Sequence, residues 1–407
     1  MCDPRCSSSR TLTGSVKVNA DYICRIPPAE MDCPEILMSS LLLWLIAAVI
    51  LLLVFAVYYW RTAALKPELV YQNNDENRNM IGRLPRLTRR YFPTPWMINT
   101  HAQLIALGFK KGLGKKLSYE KSEQLTMADG GTTALHWLGL DNADDKPTLL
   151  VLHTITGSPH SMRGFMRDIY QQTGWRIVLC QRRGHGDLPL TVAKFNTMGD
   201  SGDLREQIDV IAERYPQSPL YAIGISAGSG LLVRYLGEEG EQSKIRGGMA
   251  YCPGYNIEHA FGRAQDVYSR MMAKKLLKQF VFSHPESFSG MASYQTLIES
   301  ENLHELHQNI YECAGFNSLQ EFMDAANPMR VFENIRVPVL ILNAEDDPVC
   351  HIDNAWEYKE QIREMPQAIL AVTRRGSHCA YFSGLTAQPW AHQLAGEYFT
   401  ELAKAAD

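Results

Sequence analysis

This 407-residue chain lacks the cysteine spacing of a structural metal site or a disulfide framework. None of its nine cysteines stands in a C-x-x-C pair, and they are scattered from residue 2 to residue 379. We therefore predict free thiols, no bound metal and no organic cofactor. Cys2 and Cys6 are candidates for acylation, but no lipidation motif surrounds them, and two ordinary thiols are the simpler interpretation.

A large net charge is also missing. The 40 Lys and Arg residues nearly balance the 44 Asp and Glu residues, which leaves a formal net charge of −4. Nucleic-acid-binding proteins typically carry a strongly basic surface, so no nucleic-acid partner is expected. No internal repeat occurs, and a hydrophobic content of 45% is typical of a globular protein with a large core.

One stretch of the chain lacks charge altogether. Residues 36–60 contain no Asp, Glu, Lys or Arg, and at about 1.5 Å per helical residue they can span a bilayer. A signal peptide would be shorter and would not follow acidic residues. We predict a single-pass transmembrane helix over 36–60 after a disordered tail over 1–35. More Lys and Arg residues follow the span than precede it, which favours a cytosolic catalytic domain.

Two further parts are predicted beyond the span. Residues 61–110 form an Arg-rich approach segment with several prolines, and the aromatic cluster at 91–96 is expected to pack it onto the body. Residues 111–407 form the main domain. Within it, the stretch of about 252–333 is helical and rich in Met and Phe, which predicts a lid insertion. The same residues could equally be the core of extra helices.

Short apolar strands alternate with helices in the main domain. A turn at 129–131 predicts a strand pair, and Ser158 with Pro159 predicts a helix start. Strands are predicted over 148–153, 176–180, 219–223, 245–251, 337–342 and 368–372, and a further helix over 203–214. This alternation predicts an α/β fold with a mostly parallel sheet and helices on both faces.

The sequence G-I-S-A-G at 224–228 carries the strongest functional signal. It follows a strand-like run and opens a helix-like run at 230–236. In that context it predicts a nucleophile elbow, in which Ser226 occupies a tight turn that only small neighbours permit. The backbone N–H of Ala227, at the start of the helix, would then be an oxyanion donor.

A serine nucleophile needs a base within hydrogen-bond reach and an acid that orients the base. The predicted base is His378, in a glycine- and serine-containing loop after the last strand. The acid follows the strand at 337–342, where two aspartates compete. We favour Asp347, because Pro348 stiffens the chain beside it, and keep Asp346 as the alternative.

The second oxyanion donor is expected in the loop that follows the strand at 148–153. We predict the backbone N–H of Ile155 for this role, although an ordinary strand-to-helix turn would have the same sequence. His153, at the end of that strand, is interpreted as structural rather than catalytic.

These motifs resemble those of the membrane-anchored α/β-hydrolase-domain lipid esterases of eukaryotes, whose relatives include a bacterial esterase and the yeast medium-chain ethyl ester synthases. The resemblance covers residues 90–400 and includes G-D-S-G-D-L-R at 199–205, R-Y-L-G-E-E-G at 234–240 and N-A-E-D-D-P at 343–348. It implies the α/β-hydrolase fold, with Ser226 as nucleophile, Asp347 as acid and His378 as base. The elbow departs from the family's common S-L-G-A-N, which puts substrate choice in doubt more than catalysis.

The function predicted from the sequence is a serine carboxylester hydrolase that acts on lipid esters of acylglycerol or phospholipid type at a membrane bilayer. Two alternatives stay open: an acyltransferase or ester synthase with the same triad, and a non-catalytic membrane binding protein that uses the fold as a cavity. The segment 271–280 mixes lysines with apolar residues, and it could rest on the bilayer or be a plain amphipathic lid helix.

Overall fold

The computed structural model describes residues 34–113, 117–196 and 198–406. The chain divides into two compact units, of which the first ends at Ala56 and the second is Val57–Asp407. The boundary between the two units lies within the long helix α1 (Pro34–Thr62). Its stretch Ser40–Thr62 is long and apolar enough to cross a membrane. Apart from its last two residues, the predicted tail at 1–35, with Cys2 and Cys6, lies outside the described residues.

A nine-stranded sheet forms the centre of the second unit. Its strands are β1 (Glu68–Tyr71), β2 (Lys121–Thr126), β3 (Thr132–Leu138), β4 (Thr148–Leu152), β5 (Arg176–Gln181), β6 (Leu220–Ile225), β7 (Ile245–Tyr251), β8 (Val339–Ala344) and β9 (Ala368–Thr373). Their order is β1-β9-β8-β7-β6-β4-β5-β3-β2. The six strands from β9 to β5 run parallel, and β1, β3 and β2 run antiparallel at the two edges. The mostly parallel sheet is therefore confirmed.

Helices cover both faces of the sheet, as predicted. The helices that follow α1 are α2 (Asp75–Arg83), α3 (Pro85–Thr88), α4 (Thr100–Leu113), α5 (Pro159–Thr173), α6 (Gly202–Arg214), α7 (Ala227–Glu239), α8 (Ile257–Arg263), α9 (Asp266–Leu276), α10 (Pro285–Phe288), α11 (Tyr294–Ile298), α12 (Leu303–Asn309), α13 (Leu319–Ala326), α14 (Asp353–Trp356), α15 (Lys359–Glu364) and α16 (Trp390–Ala406). One buried core packs α5 and α16 against the sheet, and a second packs α6 and α7 against its other face. A small pair, β10 (Phe382–Ser383) and β11 (Gln388–Pro389), lies outside the main sheet.

The parallel strands are mostly apolar because both of their faces are buried. In β4, Leu149 and Val151 belong to the core of α5 and α16, whereas Leu150 and Leu152 belong to the core of α6 and α7. Successive side chains of a strand point to opposite faces, so a strand covered on both sides needs no polar alternation. The unbroken apolar runs in the sequence follow from this arrangement.

The approach segment adds a strand that the sequence analysis did not predict. Strand β1 pairs antiparallel with β9, and of its four residues only Val70 is buried. The aromatic cluster does pack onto the body, as predicted. Tyr91 is buried, donates a hydrogen bond to the Phe382 carbonyl at 2.8 Å and lies 4.7 Å from the Trp390 ring.

Residues between β7 and β8 form six short helices, α8 to α13, around an apolar cluster of their own. Phe280 and Phe288 are buried in this cluster, whereas Met271 and Phe282 are exposed. The apolar residues that predicted a lid are therefore divided between the core of these helices and their surface. The boundaries of about 252–333, and a lid function for this part, stay a prediction.

Candidate active site

Ser226 stands at a sharp turn between β6 and α7. Its φ of 54° and ψ of −118° lie in a region that side-chain-bearing residues rarely adopt. A Cβ atom on Gly224 would lie 2.2 Å from the Gly228 carbonyl oxygen, and one on Gly228 would lie 2.3 Å from the Leu152 carbonyl oxygen. Both glycines are therefore required by close backbone contacts, and the turn presents the serine hydroxyl at the carboxyl end of the sheet.

Three predicted side chains meet at this turn. The imidazole of His378 lies with Nε2 2.9 Å from Ser226 Oγ and with Nδ1 2.8 Å from Asp347 Oδ2. The other oxygen of Asp347 accepts the backbone N–H groups of Val349 and Cys350, both at 2.8 Å. The carboxylate is fully buried and fixed, so it can hold the imidazole in one tautomer. The catalytic roles of the three residues stay a prediction.

Asp346 has a different environment. Its Oδ1 accepts the backbone N–H of Ser377 at 2.8 Å, which ties the loop after β8 to the loop that carries His378. Burial, together with the charge of the neighbouring Asp347, raises the pKa of Asp346 to about 6. The geometry therefore favours Asp347 over Asp346 as the partner of the imidazole.

Two effects act in opposite directions on the His378 imidazole. Burial disfavours its charged form, but the negative charge and the hydrogen bond of Asp347 raise its pKa well above the ordinary value. The same carboxylate would stabilise the imidazolium that forms when the base takes up the serine proton.

The two predicted oxyanion donors lie close together. Ala227 begins α7, Ile155 lies in the loop after β4, and their side chains pack in one cluster with Met198 and Ile257. The Ile155 N–H belongs to the same peptide group as the carbonyl of Thr154, and other residues hold that carbonyl in place. Because the N–H and C=O groups of a trans peptide point in opposite directions, a fixed carbonyl also fixes the Ile155 N–H. The oxyanion role of both residues stays a prediction.

Arg182 fixes this loop, and the sequence analysis missed it. Its guanidinium donates to the carbonyl oxygens of Thr154 at 2.7 Å and His153 at 3.2 Å, and the Gly157 N–H donates to Thr154 at 2.9 Å. The side chain is buried, and burial lowers the pKa of Arg182 to about 9. The signal in the sequence was the basic R-R-G-H-G directly after β5, an unusual place for two arginines.

The two histidines beside Arg182 support the same loop. His153 is buried and accepts the Arg182 backbone N–H at 3.1 Å, and His185 donates to the Ile155 carbonyl at 3.0 Å. Burial lowers the pKa of both rings, and the Arg182 charge lowers them further, so both are neutral. The geometry supports the structural interpretation of His153.

Two side-chain groups near His378 have a donor set that could hold a metal. Cys252 and Cys379 form one group with His378, and Asp347 and Cys350 form the other. Both groups share the imidazole whose two nitrogens already face Ser226 and Asp347. A metal here would therefore compete with the serine for the base. Five cysteines are free thiols in the described part of the chain: Cys180, Cys252, Cys313, Cys350 and Cys379.

Comparisons with known proteins find a matching family model and several relatives. The model of the Hydrolase_4 family, described as serine aminopeptidase S33, matches residues 143–382. The chain is 27% identical over 362 residues to the embryogenesis-associated protein EMB8 of Picea glauca. The matched region covers 83% of this chain and 77% of that protein. It is 25% identical over 343 residues to the phospholipase ABHD3 of Bos taurus, with 81% and 82% covered. It is also 25% identical over 367 residues to the monoacylglycerol lipase ABHD2 of Mus musculus, with 82% and 84% covered.

Proposed function

This chain belongs to the Hydrolase_4 family of serine aminopeptidase S33 type, and from that premise we propose that it hydrolyses lipid esters through an acyl-enzyme at Ser226. It has the α/β-hydrolase fold and is a serine hydrolase of esterase type. The observation that carries the proposal is the continuous line of hydrogen-bond contacts from Ser226 through His378 to Asp347.

The proposed mechanism begins with proton transfer from Ser226 to Nε2 of His378. The serine oxygen attacks the ester carbonyl, and the N–H groups of Ala227 and Ile155 stabilise the oxyanion. The imidazolium then protonates the leaving alcohol, which departs and leaves an acyl group on the serine. Water, deprotonated by the same imidazole, attacks the acyl-enzyme and releases the carboxylic acid. Asp347 orients the ring throughout.

Three features support a lipid substrate. Helix α1 contains a stretch that could anchor the protein in a bilayer, where lipid esters are concentrated. Helix α9, whose Lys275 donates to the Thr156 hydroxyl in the loop after β4 at 3.2 Å, exposes Val267 and Met271 one turn apart, with 73% and 58% of their surfaces accessible. Two of the relatives bear the names phospholipase and monoacylglycerol lipase.

Exposed apolar side chains also occur on α4, which begins beside the catalytic loops. Thr100, at its start, donates to the Asp346 carbonyl at 2.7 Å, and His101 bonds Tyr268 of α9 at 2.6 Å. Further along the helix, Ile105 and Phe109 are 60% and 64% exposed. Exposed apolar groups on a helix that begins beside these loops would favour contact with a lipid surface.

Labelling with a fluorophosphonate probe tests the proposed nucleophile. In membrane fractions, the wild type should be labelled and Ser226→Ala should not, while Ser289→Ala, at an exposed position after α10, should label normally. Absence of labelling in folded wild-type protein would contradict the proposed mechanism. Labelling without release of fatty acid from added lipids, but with ester formed from an added alcohol, would favour acyl transfer over hydrolysis.

We also propose that the second unit faces the cytosol, because seven arginines and lysines follow the span within residues 61–90 and four precede it. Protease treatment of sealed microsomes tests this orientation. Digestion of the second unit without detergent is the expected result, and protection until detergent is added would place it in the lumen.

A further inference from the structure

The loop that carries His378 has a strained backbone on both sides of that residue. Its chain neighbours Ser377 and Cys379 have φ angles of 50° and 63°, which residues with side chains rarely adopt. Tyr381, a little further along, has a φ of 40°. Each such conformation costs about 1–3 kcal/mol and persists only where the surrounding structure holds it. This loop therefore depends on contacts with other parts of the chain.

Thr100, the first residue of α4, supplies contacts of this kind. Its hydroxyl donates to the backbone carbonyl of Asp346 at 2.7 Å and lies 2.7 Å from the Ser377 hydroxyl oxygen. Ser377 Oγ also donates to the Thr100 carbonyl at 3.1 Å. Asp346 directly precedes Asp347, and Ser377 directly precedes His378. A single hydroxyl therefore connects the residue before the proposed acid to the residue before the proposed base.

The Asp346 carboxylate strengthens the same connection. Its Oδ1 accepts the Ser377 N–H at 2.8 Å, and its Oδ2 lies 3.4 Å from Nε2 of Gln103, one turn along α4 from Thr100. Ser377 is fully buried and Gln103 is 1% exposed, so water competes little for these bonds. The loop after β8, the loop that carries His378 and the start of α4 therefore form one hydrogen-bonded unit.

Helix α4 is itself fixed against the chain that follows His378. Leu107 packs against the apolar cluster that contains Phe382. Near the other end of the helix, Lys110 donates to the Ala387 carbonyl, and its ammonium group lies 4.6 Å from the centre of the Phe382 ring. The Thr100 hydroxyl thus stands at the start of a helix that further contacts hold in place.

We propose that Thr100 is a positioning residue, whose hydroxyl holds the His378 loop in register with the loop that carries Asp347. The imidazole contacts depend on this register, and a displacement of about 1 Å can lower a rate about 100-fold. The proposal rests on the proposed function, because it assigns Thr100 a part in the reaction at Ser226. Thr100 precedes the stretch 143–382 that the family model matches, so a helix outside that stretch completes the site.

Thr100→Val tests the hydroxyl, because valine keeps the branched shape of threonine and cannot donate a hydrogen bond. On a short water-soluble ester, kcat should fall by about ten- to 100-fold and KM should change by less than about twofold. Thr100→Ser keeps the hydroxyl and should hold kcat within about threefold of the wild type. Equal losses of kcat in the two variants, or a rise in KM at constant kcat, would overturn the proposal.

Thr400→Val is the matched control for the loss of a threonine hydroxyl. Thr400 is also partly buried, and its hydroxyl donates to a backbone carbonyl, that of Gly396, at 2.7 Å, but the bond lies within α16. Thermal unfolding would show the stability that each variant loses. Thr400→Val should keep kcat within about twofold of the wild type, because its bond supports no catalytic loop. If Thr100→Val lost no more kcat than this control, the positioning role would be refuted.

A double-mutant cycle with Ser377→Ala tests the route of the effect. This change removes the Oγ beside Thr100 and keeps the backbone N–H that Asp346 accepts. If the two hydroxyls act through one contact, the double variant should lose no more than about twofold in kcat beyond the larger single loss. Losses that multiply would show that Thr100 does not act through Ser377 and would overturn the proposal.

The rate of fluorophosphonate labelling distinguishes this proposal from the proposed function. Wild type that is labelled, with Thr100→Val labelled equally fast, would refute the positioning role alone. Folded wild type that is not labelled would refute the proposed mechanism and the positioning role together. The expected result is a labelled wild type, slow labelling of Thr100→Val and near-normal labelling of Thr100→Ser.

Discussion

Asp346 and Asp347 are chain neighbours at the end of β8 whose carboxylates meet different groups. Asp346 accepts the backbone N–H of Ser377. Asp347 contacts Nδ1 of the His378 imidazole and accepts two backbone N–H groups of its own loop. The difference arises because successive residues of a tight turn point in different directions. Identical side chains therefore have distinct chemical tasks, and substitution can separate them.

Replacement of Asp347 by Asn should lower kcat by roughly 10⁴-fold, because the amide stabilises the wrong tautomer and does not stabilise the imidazolium. The base must be neutral to act, so activity rises with pH through the His378 pKa. Asp347 raises that pKa, and its loss should therefore move the acid limb of the pH–rate profile to lower pH. The profile would be measured with a short water-soluble ester.

Asp346→Asn is the matched control for that measurement. The amide oxygen can still accept the Ser377 N–H, so kcat should fall by less than about tenfold and the acid limb should not move. Reversed results for the two variants would make Asp346 the acid.

We expect Arg182 to be a positioning residue, because its guanidinium contacts the Thr154 carbonyl oxygen in the loop that carries the proposed oxyanion donor. Arg182→Met should lower kcat by about 100-fold, the size expected when one oxyanion donor is misplaced, with KM little changed. Arg182→Lys keeps one donor and should recover part of the loss. A rise in KM at constant kcat would show instead that the loop contributes to substrate binding.

At the scale of the secondary-structure element, the turn between β6 and α7 depends on two close contacts between backbone atoms, at Gly224 and Gly228. Gly228→Ala would place a methyl group 2.3 Å from the Leu152 carbonyl oxygen, which strand β4 holds in place, so we expect a loss of more than about 3 kcal/mol of stability. Gly230→Ala, two residues further along α7, meets only Met198 at 3.8 Å and should stabilise the helix by up to about 1 kcal/mol. Thermal unfolding of the two purified variants, followed by fluorophosphonate labelling, compares them.

The elbow and its sheet could be predicted because their signals are local. The apolar runs, the capping residues and the small residues around Ser226 each act within a few positions of the chain. Strand β1 was missed because four residues with one buried side chain carry no periodic signal, and only β9 makes them a strand. Arg182 was missed for a related reason: its partners, His153 and Thr154, lie in another loop, and no spacing rule connects them.

At the scale of the whole molecule, we expect the second unit and the apolar helix to make separable contributions to activity. A protein limited to residues 57–407 keeps the nine strands and all three triad residues. It should hydrolyse a short soluble ester at nearly the wild-type rate, but hydrolyse lipid in vesicles at least about tenfold more slowly, because the anchor raises the effective substrate concentration. Equal loss on both substrates would mean that the helix is needed for folding.

The position of β1 beside β9 also sets an order of events during translation. Roughly 300 residues separate the paired strands, so β1 leaves the ribosome long before its partner exists. Until β9 is made, β1 and β8 both present unpaired backbone N–H and C=O groups. Such unpaired strand edges favour aggregation and recruit chaperones. A message that terminates after Asp347 but before β9 therefore yields a polypeptide in which β1 and one edge of β8 have no partner.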